Sequence, residues 1–164
     1  MSLFNEPTFW FTLISTFCAG YTVISNFLNR HKKLIITVNW VCVTYQNQMN
    51  ISFHIYNPST ENCSITNVAI DFVVKEYNAA NYPDILATRS ESTAFSSPLP
   101  VNIPPRQAVA IILPFKYLPD GLTDKDNQNI LFTIGNKKVG KRFFIGQKRI
   151  NSEQLVRRLN QQLE

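Results

Sequence analysis

The sequence predicts an all-β fold, an immunoglobulin-like β-sandwich of about seven strands that follows an apolar N-terminal transmembrane helix and precedes a short C-terminal amphipathic helix. Three observations carry this. Residues 9–28 hold no charged side chain; β-branched and aromatic runs with period-two alternation recur between turn-forming clusters from residue 34 to residue 145; and helical spacing of apolar residues returns only after Asn151.

The uncharged run is twenty residues long. At about 1.5 Å per residue it covers the roughly 30 Å of a bilayer's hydrocarbon core. Its anchoring side chains are Phe9, Trp10, Phe11, Leu13, Ile14, Phe17, Tyr21, Val23, Ile24, Phe27 and Leu28, with Trp10 at the amino-terminal edge, where indole prefers the interface. Asn5, Glu6 and Pro7 read as a cap region with proline entering the first turn. Thr12, Ser15, Thr16, Gly20, Thr22, Ser25 and Asn26 lower the apolarity, and the hydroxyls can bond back to their own helix at modest cost.

Two alternatives compete with an anchor. A buried helix of the soluble domain is usually shorter than this. A cleavable signal peptide needs a basic leader and an Ala-x-Ala site, whereas Glu6 is the one charge ahead of the run. Ser15-Thr16-Phe17-Cys18 puts a bulky Phe17 where a lipoprotein box needs a small residue, so Cys18 is expected as an apolar filler.

After the run come Arg30, His31, Lys32 and Lys33. Basic residues beyond the span and an acidic one before it predict a single pass through the cell membrane with the amino terminus outside and the soluble domain in the cytoplasm. Residues 1–33 are thus the anchor and its basic flank, 34–150 the sandwich, and 151–164 the terminal helix. The roughly 130 residues after the flank suffice for one core. Twelve Phe and six Tyr exclude a disordered tail, while nine Pro against five Gly suit a loop-rich β fold.

Taken in order, residues 34–45 alternate with Ile36, Val38, Trp40 and Cys42 on one face, and residues 49–56 place Ile51, Phe53 and Ile55 together, the short connection being hairpin-sized. Asn57-Pro58-Ser59-Thr60-Glu61-Asn62 is a cluster of turn formers ahead of residues 64–75, where Thr66, Val68, Ile70, Phe72 and Val74 define an inward face. Residues 77–100 read as an excursion with edge pieces at Ile85-Leu86 and 93–95, and Pro98, Pro100, Pro104 and Pro105 suit an edge segment. Residues 107–117 align Val109, Ile111, Leu113 and Phe115, with a partner distant in sequence. Residues 129–135 and 139–145 form a hairpin. Asn151 or Ser152 caps a helix with Leu155, Val156, Leu159 and Leu163 on one face and Ile150 as a staple on Leu155.

Chemistry-bearing residues are sparse. His31 and His54 have no Cys, Asp or Glu at ligand or triad spacing, and His54 reads as an ordinary strand residue. Asp120, Asp124, Asp126, Asn127 and Asn129 make one carboxylate-rich loop that lacks the glycine and glutamate of an EF-hand. It reads as a solvated turn, with calcium as the alternative. No phosphate-binding glycine loop occurs, and no metal or cofactor is expected. Cys42 and Cys63 could meet if the first and third strands are neighbours, and would stay reduced in a cytoplasmic domain. Asn50 and Asn62 begin glycosylation triplets that matter only in a secretory compartment.

Charge is more informative. Residues 137–164 carry Lys137, Lys138, Lys141, Arg142, Lys148, Arg149, Arg157 and Arg158 against Glu153 and Glu164, a net of +6 within a chain whose total is +5. Such a patch can face anionic headgroups or grip a nucleic-acid backbone, or it can be a solvated polar face. Phe143 and Phe144 are expected in packing rather than base stacking.

The anchor, the sandwich and the Asn-Pro-Ser-Thr turn leading into a Ser-Ile-Thr strand at residues 57–66 resemble small single-span envelope proteins of Gram-positive bacteria and their prophages. The layout is also similar to prophage superinfection-exclusion proteins. That resemblance implies action at the membrane where phage DNA enters, through a membrane or phage protein as partner. The expectation is a non-enzymatic, membrane-tethered binding module whose partners include membrane lipids. The alternatives are a metal-dependent or enzymatic regulator using residues 120–129, and a nucleic-acid binder using the basic carboxyl-terminal region.

Overall fold

The uncharged run forms α1 (Pro7–Arg30), 24 residues with none buried. In the computed structural model residues 7–30, 32–44, 47–72, 75–88, 93–119, 121–123 and 125–161 are described. Among them α1 is the one helix long and apolar enough to cross a membrane. Three of its hydroxyls are satisfied internally: Thr12, Thr16 and Thr22 donate to the carbonyls of Thr8, Thr12 and Cys18, each at 2.8 Å. Unlike the core helix of a soluble domain, α1 has no buried residue.

The remainder is mostly strand. β1 (Ile35–Thr44), β2 (Gln48–Tyr56), β3 (Cys63–Phe72), β4 (Lys75–Asn78), β5 (Ile85–Thr88), β6 (Thr93–Phe95), β7 (Val101–Ile103), β8 (Ala108–Phe115), β9 (Asn127–Ile134), β10 (Lys137–Phe144) and β11 (Arg149–Ile150) precede α2 (Ser152–Gln161). One sheet has the order β11-β1-β2-β8. The second has β10-β9-β3-β4, with β7 also on β3, and β5-β6 form a separate ribbon. The six long strands are those the alternation predicts; the short β4, β7 and β11 raise the number above seven. β7 lies between Pro100 and Pro104 and pairs only with β3, an edge position that prolines tolerate.

The two sheets enclose one core. Phe53 of β2 meets Phe132 of β9 edge-on at 5.4 Å and Phe143 of β10 at 6.1 Å. Ile51, Ile55, Leu113 and Phe115 from the first sheet and Ile65, Val68, Ile70 and Ile130 from the second complete it. A smaller cluster lies on the outer face of the first sheet. There Trp40, Cys42 and Ile112 are covered by Leu155 and Leu159 of α2, with Leu86, Ala94 and Ile150 around them.

Two expected faces are corrected by β-bulges. The β1–β2 register shifts between Val38 and Trp40, so Ile36, Val38 and Val41 enter the main core while Trp40 and Cys42 turn to the outer cluster. A second shift, between Ile65 and Asn67 of β3, buries Ile65 and leaves Thr66 exposed. Val74, Tyr45 and Leu163 lie outside the described residues.

The β9–β10 hairpin turns at Gly135, whose φ of 56° is the left-handed value a two-residue loop requires. Asn151 caps α2: its Oδ1 accepts from the Gln154 N–H at 2.8 Å and its own N–H donates back to Gln154 Oε1 at 3.2 Å, a capping box. Val156, expected on the apolar face, is instead exposed.

Candidate functional site

Between the end of α1 and the start of β1 the chain has only four residues, and the turn after β2 holds this junction. Asn57 is fully buried. Its side-chain amide donates to the carbonyls of Glu61, Ile103 and Pro104 at 2.8, 3.1 and 3.3 Å, while its Oδ1 accepts from the Ser59 N–H at 3.1 Å. Ser59 then donates its hydroxyl to the Arg30 carbonyl at 3.0 Å, and the Arg30 guanidinium lies 3.4 Å from Glu61. The Asn-Pro-Ser-Thr cluster is therefore the clamp that holds the helix end on the sandwich.

Beside the clamp the two sheets part. A cleft of about 530 Å³ opens between the first residues of β1 and the β9–β10 hairpin. Its apolar floor is Leu34, Ile36, Cys63, Ile134 and Val139; its rim is Arg30, Lys32, Lys33, Lys137 and Lys141, with Glu61 as the acidic member. Alternation along β10 makes the selection: Lys137, Val139 and Lys141 face inward, and Lys138 and Arg142 face outward. Lys141 Nζ reaches the Leu34 carbonyl at 3.2 Å and so bridges the cleft mouth. Burial holds the Cys63 thiol above its ordinary value of 9.0.

The basic residues expected as one carboxyl-terminal patch are distributed. Lys137 and Lys141 join Arg30, Lys32 and Lys33 at the cleft. Lys138 is paired with Glu76 at 2.8 Å. Arg149 donates through Nη2 to the carbonyls of Thr123 and Lys125 at 2.7 and 3.2 Å, pinning a loop. Lys148 and Arg149 flank the Val41–Cys42 end of β1, about 20 Å along the strand from Leu34. Arg157 and Arg158 are exposed on α2, and Arg142 on the outer side of β10.

Other candidates separate in the same way. Cys42 and Cys63 lie on strands of different sheets, one under α2 and one in the cleft, and all three cysteines are free. Asp120 and Asp124 fall outside the described residues; Asn129 bonds Asp71 at 2.8 Å. Among the described residues no three His, Cys, Asp or Glu side chains converge as a metal site. Asn50, first residue of one glycosylation triplet, is buried. His54 is exposed on β2.

No protein-family model and no curated protein matches the chain. Among solved structures it is similar to a crystal structure of a protein from Archaeoglobus fulgidus, at 12% identity over 68% of this chain and 90% of that one, with a TM-score of 0.28.

Proposed function

We propose that this protein is a non-enzymatic, membrane-tethered binding module that works at the bilayer surface. The observation that carries the reading is the bonded junction: an apolar helix with no buried residue ends at Arg30, and that same residue is fastened to the sandwich by Ser59 and Glu61. A domain attached in this way stays at headgroup level rather than ranging on a linker. The side chains that converge there are cations around an apolar floor, a composition suited to holding an anion.

An immunoglobulin-like arrangement is the finer reading of the sandwich. β1, β2 and β8 take the places of strands A, B and E, while β3, β9 and β10 take those of C, F and G. Arg30, Lys32 and Lys33 favour a cytoplasmic domain. The layout's resemblance to prophage envelope proteins suggests exclusion of incoming phage as its use. That use is checked by comparing phage genome entry in host cells with and without the protein; equal entry rejects it.

The tether is tested by fractionation. The full chain is expected to remain in membranes through an alkaline carbonate wash. Phe17→Lys with Ile24→Lys adds about 2.5–3.5 kcal/mol of insertion cost per lysine and is expected to release it. Release of the unaltered protein would overturn the proposal.

A further inference from the structure

We infer that the cleft at the α1–sandwich junction takes the phosphate and glycerol end of one anionic glycerophospholipid from the leaflet in which α1 ends. The inference rests on the membrane tether proposed above. Its first support is position. Lys32, Lys33 and Leu34 follow the helix end by two to four residues, so rim and floor lie at the depth of the headgroups.

The second support is charge without neutralisation. The rim offers five cations against Glu61, and Glu61 is engaged by Arg30. Lys32, Lys33 and Lys137 form no ion pair among the described residues. Lysines on an edge strand can serve simply to discourage pairing with another sheet, and Lys138 and Arg142 suffice for that on the outer side of β10. Edge protection gives no reason for Lys137 and Lys141 to face a second basic segment across an apolar floor.

The third support is the combination of size and lining. About 530 Å³ falls within the range of small-molecule sites and is less than a whole two-chain lipid needs, so the headgroup end enters while the chains remain in the bilayer. Leu34, Ile36, Ile134 and Val139 give the glycerol and upper chain carbons an apolar surface, which a free phosphate would not use. No aromatic side chain lines the cleft among the described residues, so bases have no stacking platform there.

The test uses the full chain in phosphatidylcholine nanodiscs doped with phosphatidylglycerol carrying a diazirine on the acyl chain close to the glycerol. Adducts are mapped by peptide mass spectrometry. Labelling is expected both on α1 and within residues 134–141. Lys137→Gln with Lys141→Gln should lower the cleft adducts roughly tenfold or more and leave those on α1 unchanged. Lys138→Gln with Arg142→Gln removes the same formal charge from the outer face and should change neither. Val139→Trp fills the floor with every cation kept, and should also abolish cleft labelling; it decides the matter if the double glutamine variant fails to fold. Equal loss in both charge variants would overturn the inference in favour of diffuse attraction. Equal labelling by photoreactive phosphatidylcholine, or displacement by soluble glycerol phosphate or by an oligonucleotide, would overturn it as well. Disappearance of the α1 adducts would instead overturn the tether.

Discussion

The Ser59 hydroxyl donates to the carbonyl of Arg30 while its oxygen accepts from the Glu61 N–H, both at 3.0 Å. Arg30 is the last residue of α1, and the final carbonyls of a helix have no partner within it. Here the sandwich provides that partner. Because Ser59 is itself held by the buried Asn57, the helix end is linked through one side-chain network to the turn ahead of β3 and to the end of β7 and Pro104 beyond it.

That hierarchy predicts unequal costs. Ser59→Ala removes two hydrogen bonds at a partly wet junction and is expected to lower stability by about 1 kcal/mol. Asn57→Ala removes the donor to the buried contact with the Ile103 carbonyl and to the part-buried Glu61 and Pro104 carbonyls, and is expected to cost about 2–3 kcal/mol. Urea midpoints of the full chain in detergent, at unchanged slope, would measure both. Equal costs would mean that Asn57 does not organise the turn.

How much of this was legible in the sequence depends on which residues disclose their neighbours. The six long strands show in their alternation, and the α2 capping box shows in Asn151 and Gln154 at the required spacing. The bulge in β1 leaves no mark, because Trp40, Val41 and Cys42 are all apolar and a phase change among them breaks no pattern. β7 hides among prolines. The cleft joins Arg30, Lys32 and Lys33 to Lys137, Val139 and Lys141, a pairing that rests on the long-range placement of β10 across from β1. One signal was available: period two along β10 already divides Lys137 and Lys141 from Lys138 and Arg142.

Deleting Asn39 should expose the bulge's role. Without the extra residue β1 alternates regularly, with Val38 inward, Trp40 outward and Val41 inward, and its pairing with β2 becomes continuous, so every buried side chain keeps its face. That deletion is expected to cost no more than about 1 kcal/mol, whereas deleting Thr37, a regularly paired residue, turns Leu34 and Ile36 out of the core and is expected to cost on the order of 4 kcal/mol or more. Asn39→Ala, which keeps the count, should stay within about 1 kcal/mol of the parent. Thermal melts of the two deletions check the contrast, and equal losses would show that Asn39 is not the bulged residue.

The outer cluster makes Cys42 a reporter of α2. The helix has ten residues, too few to persist alone in water, and so depends on Leu155 and Leu159 packing over Trp40, Cys42 and Ile112. Burial raises the pKa of the Cys42 thiol and leaves little thiolate to react. Leu155→Ala with Leu159→Ala should therefore speed alkylation of Cys42 roughly tenfold or more, followed by mass spectrometry of its peptide, while cleft-lining Cys63 keeps its rate. An unchanged Cys42 rate would show that α2 does not guard it.

Stability should fall on the alkaline side. Burial raises the Cys42 and Cys63 thiols from 9.0, and the hydrogen bond to Asp84 at 2.9 Å is the largest cause raising Lys116 from 10.5. In each case the folded protein favours the protonated form. The contribution is complete below the unfolded pKa and is lost as pH rises through the higher folded value. The thiols thus begin to weaken the fold above about pH 9, and Lys116 adds its share above about pH 10.5. Urea midpoints should be level for these groups near neutrality and decline beyond pH 9. Cys42→Ala with Cys63→Ala should flatten the first part of the decline and Lys116→Met the second, so a variant carrying all three changes that keeps the parent's full alkaline slope would reject the assignment.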